Sequence, residues 1–60
     1  MLYENVLELA NKKGISISEV ERRANISKGT ISKWRTSNPR ISSLKSVADV
    51  FGVTVNRLMR

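Results

Sequence analysis

Between Arg22 and Lys45 the chain carries seven basic residues and no acid: Arg22, Arg23, Lys28, Lys33, Arg35, Arg40 and Lys45. Within that stretch, NISKGTISKW (residues 25–34) sets Lys28 and Lys33 among the hydroxyls of Ser27, Thr30 and Ser32. Ammonium and hydroxyl groups so spaced are hydrogen-bond donors with a positive field around them. Their chemistry is the binding of anions and of base-edge acceptors, not the making of bonds. A segment that only packs against a core usually mixes charge signs on its outer face, and this one does not. The chain contains no histidine and no cysteine. That removes the commonest general base, the thiolate nucleophile, disulfides and the usual zinc ligands. The paired carboxylates Glu4 and Glu8 imply no pocket, and KGT is too short for a phosphate-cradling glycine loop. The chain reads as a non-enzyme that needs no cofactor and no metal.

These donors must be positioned by a small scaffold. Sixty residues with a net charge of +6 make one domain, residues 1–60. A domain of that size buries only about 60% of the surface its unfolded chain exposes, so packing must be economical. No apolar run approaches a membrane span. The N-terminal MLYENVLELANKK carries acids early and lacks the basic region of a signal peptide, which reads as an intracellular protein.

Leu2, Val6, Leu9 and Ala10 recur at helical spacing, with Tyr3 and Leu7 widening the stripe and Gly14 as a stop, so a first helix is expected from Leu2 to Lys13. Ser16 with Glu19 forms an S-x-x-E capping box, and Ile15 and Val20 occupy hydrophobic-staple positions. A second helix follows from Ile17 to Ala24, with Asn25 suited to the left-handed conformation that ends it. Ser27 is placed to cap a third helix from Lys28 to Thr36, with Ile31 and Trp34 facing the core. Ser37-Asn38-Pro39 is turn chemistry. Ser42 is placed to cap a fourth helix carrying Leu44, Val47, Ala48 and Phe51 and ending at Gly52, and Thr54 to cap a short fifth. The expected fold class is all-α.

Two short helices joined by a tight turn, the second cationic, form a helix-turn-helix, whose core here spans about residues 17–36. SISEVERRANISKGTISKW resembles the helix-turn-helix of the phage repressor and Cro class, also called XRE-like. The following NPRISSLKSVADVFGVTVNRL resembles the rest of that fold, so the resemblance covers nearly the whole chain. It implies a compact five-helix, lambda-repressor-like bundle. Three positions depart from the family pattern. Ile17 stands where a phosphate-clamping glutamine is usual, and Asn25 stands for the turn glycine. Glu21 replaces the alanine where the two helices approach closely, and its carboxylate is expected to reach solvent or a cation.

Carried over position by position, the resemblance makes Lys28, Gly29 and Lys33 base-reading positions and sets Ser32 against a base or a phosphate. Gly29, lacking a side chain, either lets the helix approach the groove or is simply a small residue near a helix start. Ser27 and Thr30 match phosphate-contacting positions, joined by Asn38 and Arg40 in the following loop and by Ser16 and Ser18 in place of the missing glutamine. Free amides at the start of the third helix are expected to add phosphate donors. Arg35 is expected to contact phosphate or to pair within the molecule. Arg22, Arg23 and Lys45 read equally as a solvated face or as distant phosphate contacts.

The function implied is a sequence-specific double-stranded DNA-binding transcriptional regulator. In the leading form it is the N-terminal domain of a phage-type, CI-like repressor, acting in the cytoplasm of a bacterium or phage-infected host, on the nucleoid. So small a reader implies a homodimer on two operator half-sites. Leu58, Met59 and parts of the fourth and fifth helices are the expected pairing surface, unless Leu58 and Met59 simply cap the core or a segment beyond Arg60 supplies the contact. The alternative is an antitoxin-like or other protein-interaction module on the same fold, against which the acid-free stretch argues, since a protein partner needs no such field.

Overall fold

The computed structural model describes residues 1–60. Four α-helices form: α1 (Leu2–Lys13), α2 (Ile17–Ala24), α3 (Ile41–Phe51) and α4 (Val55–Met59), with no strand. Between α2 and α3 lies a single 3₁₀ segment, Ser32–Arg35. The expected five-helix bundle is therefore corrected to four α-helices. The bounds of α1 and α2 are those expected.

The predicted third helix, Lys28–Thr36, is replaced by turns through Ile31 followed by the 3₁₀ segment. The cause is local. Gly29 sits at φ +91°, left-handed backbone that interrupts a right-handed helix. Thr30, Ile31 and Thr36 are β-branched, and Ser32 and Ser37 are weak helix formers. The amides of Thr30, Trp34 and Thr36 consequently donate three residues back, to Ser27, Ile31 and Lys33. Only Lys33, to Gly29, and Ser37, to Lys33, make four-residue bonds.

Caps explain most of the other boundaries. The Ser16 hydroxyl accepts the Glu19 amide at 3.1 Å and opens α2. Asn25 closes it in the left-handed conformation, φ 59°. The Thr54 hydroxyl accepts the Arg57 amide at 3.1 Å and opens α4. α3 departs from expectation: it begins at Ile41 behind an extended Arg40 and has no side-chain cap, so Ser42 lies inside the helix.

Every helix and the 3₁₀ segment contribute to one core: Val6 and Ala10, Val20 and Ala24, Ile31 and Trp34, Leu44, Val47 and Ala48, and Leu58. Leu58 is fully buried, which removes it from the expected pairing surface and leaves Met59 exposed there. α3 packs against both α2 and α4, and α1 against α4 and the 3₁₀ segment. Asn5 joins the ends of the chain, its amide donating to the carbonyls of Leu58 (2.7 Å) and Arg60 (3.2 Å). No helix is long and apolar enough to cross a membrane.

Candidate nucleic-acid interface

The site is assembled on the irregular backbone between α2 and α3. Lys28, Ser32 and Lys33 are exposed, and Gly29 is half-buried. Ser27, Thr30, Lys33, Asn38 and Arg40 line one open groove of about 500 Å³, together with Asn25, Ser37 and Ser43. Five of the eleven expected contact residues thus share a surface rich in hydroxyl, amide and cationic donors. Lys28, Gly29 and Ser32 lie on the same segment but do not line that groove, and Ser16 and Ser18 stand exposed at the start of α2. Arg35 lines a second groove with Tyr3 and Met59, and Trp34 borders both.

Several local expectations change. Glu21 reaches neither solvent nor a cation. It is 3% exposed. The Gly29 amide donates to both of its carboxylate oxygens at 3.1 Å, and the Ile31 amide donates to Oε2 at 3.0 Å. A carboxylate accepts such amides readily, because backbone donors near a helix start carry partial positive charge. Glu21 therefore does what Ser27 was expected to do. The exposed Ser27 caps nothing with its hydroxyl, and only its carbonyl is used, accepting from Thr30 N (3.1 Å) and Thr30 Oγ1 (2.7 Å).

The expected free amides are consequently absent at residues 29, 30 and 31, all of which donate inside the molecule. Those three amides therefore offer nothing to an anion on this surface. The alanine usual at position 21 gives no hint of the Glu21 contact. The one signal was an acid placed, by α2 periodicity, on the inward side.

The cations are not equivalent. Glu19 engages both Arg22, through Nε at 3.1 Å and through Nη2, and Arg23, through Nε at 2.8 Å. Hydrogen bonds from Arg22 and then Arg23 hold the Glu19 carboxyl down from 4.5 to about 2, and the same contact raises Arg22. The Ser16–Glu19 capping box is accordingly half-formed: the hydroxyl caps, while the carboxylate turns to the arginines. Arg35 finds no carboxylate. Its guanidinium lies 5.0 Å from the centre of the Tyr3 ring, a cation–π contact to α1. Lys28, Lys33, Arg40 and Lys45 make no ion pair or cation–π contact.

A short α2, a left-handed turn at Asn25 and a cationic segment pinned beneath by Ile31 and Trp34 follow the order of a helix-turn-helix, with turns and a 3₁₀ segment in place of its second helix. The family model for the Cro/C1-type HTH DNA-binding domain matches residues 5–60. This chain belongs to that family. The match takes in α2, the turn, the cationic segment and both later helices, so the chain is a DNA-binding regulator domain for double-stranded DNA. No curated protein and no solved structure matches it.

Proposed function

We propose that residues 1–60 form a single domain that reads operator DNA in sequence-specific fashion as a phage-type repressor, with its helix-turn-helix core at about 17–36. The observation that carries this reading is the acid-free segment from Ser27 to Arg40, its cations exposed, following α2 in a Cro/C1-type domain. Lys28, Ser32 and Lys33 meet base edges in the major groove, with Gly29 allowing close approach. Lysine donates to guanine O6 and N7.

Ser27, Thr30, Asn38 and Arg40 hold phosphates along the groove they share. Ser16, Ser18 and Arg35 hold phosphates from its flanks. Two copies occupy two-fold-related half-sites, with the exposed Met59 side of α4 between them, and block polymerase on the nucleoid by occupancy.

The test is selection of duplexes from a random library, followed by titration at two salt concentrations. Lys28→Ala and Lys33→Ala should each lose about 1–3 kcal/mol of discrimination at particular base pairs. Weak, unselective binding that neither substitution changes would overturn the reading.

A further inference from the structure

Glu21 is the one buried charged side chain in the molecule, and it forms no salt bridge. Its negative charge is balanced by backbone amides alone, those of Gly29 and Ile31. Burying a carboxylate is costly unless every lone pair it exposes finds a donor. Here the donors come from a segment eight and ten residues further along the chain, across the contact between α2 and the cationic stretch.

The position of those two amides matters. Gly29 lies between Lys28 and Thr30, and Ile31 immediately precedes Ser32 and Lys33. The proposed base readers therefore bracket the two points where the backbone is clamped. Otherwise the stretch is held by its own turn and 3₁₀ hydrogen bonds and by the buried Ile31 and Trp34. It lacks an α-helical ladder, its Gly29 is left-handed at φ +91°, and Ser27 contributes no hydroxyl cap. Apolar anchoring at Ile31 and Trp34 is non-directional and fixes depth in the core. The Glu21 contacts, both oxygens on the Gly29 amide and one on Ile31, are directional and tie the segment's orientation to α2.

From this geometry we infer that Glu21 is a positioning residue for DNA reading: its buried carboxylate sets where Lys28, Ser32 and Lys33 present their donors. The inference rests on the operator-reading function proposed above. Glu21 touches no DNA in this scheme and acts only through the backbone it holds. Its loss therefore lowers discrimination between sequences and leaves the sequence-independent phosphate attraction in place.

The experiment compares wild type, Glu21→Ala, Glu21→Gln and a core control, Val47→Ala, for binding to the selected duplex and to a scrambled one at two salt concentrations. Amide exchange at Gly29 and Ile31 is followed in parallel. Glu21→Ala should lose about tenfold or more in the ratio of selected to scrambled affinity, equivalent to one good base contact. Its salt slope should stay unchanged, and the two amides should exchange faster. Glu21→Gln, which keeps one carbonyl acceptor, should recover part of the ratio. Val47→Ala should lower the melting temperature while keeping the ratio.

A wild-type preference that survives Glu21→Ala, or that falls equally in Val47→Ala, overturns the positioning role and leaves the operator-reading function standing. Absence of any preference in wild type overturns both.

Discussion

Ser16 and Ser27 are the same residue type before two consecutive segments of one motif, yet only Ser16 caps. Ser16 meets its own amide three residues on, at Glu19, and a regular α-helix follows. Ser27 opens onto Gly29 in the left-handed region, and its hydroxyl accepts none of the amides beyond it. Those amides are closed instead by a carboxylate from the preceding helix. A helix start closed from within needs only local chemistry. A start closed from outside ties two elements together, and its geometry then depends on a contact that sequence spacing alone does not specify.

The difference can be broken most forcefully at the distant cap. Glu21→Ala leaves two backbone donors unpaired beneath the segment and should cost about 3 kcal/mol in denaturant unfolding. Gly29→Ala comes next. A Cβ there has open space around it, so the cost is purely one of conformation, about 1–2 kcal/mol for holding alanine at positive φ.

Ser16→Ala removes a local cap and should cost about 1 kcal/mol in the same measurement. Ser27→Ala should stay within about 0.5 kcal/mol of wild type, and a loss as large as that of Ser16→Ala would mean that Ser27 caps after all.

The smallest effect belongs to Glu19. Its carboxyl is held at about 2 against an ordinary 4.5, so the contribution of its arginine contacts is complete above the higher value and disappears as pH falls toward the lower. Melting curves of wild type and Glu19→Gln should therefore converge as pH is lowered through that window. High salt should shrink the gap as well, because both arginines are exposed and Glu19 is only partly covered.

What was legible in the sequence follows the same division. The ends of α1 and α2, the Ser16 and Thr54 caps, the turn at Asn25 and the core roles of Ile31 and Trp34 all rest on short-range spacing, and all are present. The third helix was not legible, because its apolar spacing and capping serine compete with a left-handed glycine and three β-branched residues, and the latter prevail.

Glu21 was misplaced because a carboxylate facing inward is normally assigned to solvent or to a cation. Its real partners are backbone groups, which carry no letter in a sequence. Arg35 and Tyr3 meet although they stand 32 positions apart in the chain, beyond the reach of periodicity, and Asn5 reaches the last turn of α4 for reasons equally invisible.

Trp34 is the chain's only tryptophan, and it stands beneath the reading segment with an edge toward each of the two grooves. The molecule thus carries a native fluorophore at the place where its backbone is least regular. Slackening of that segment in Glu21→Ala should change the polarity around one indole. Emission wavelength alone would then follow the event in real time, without a label.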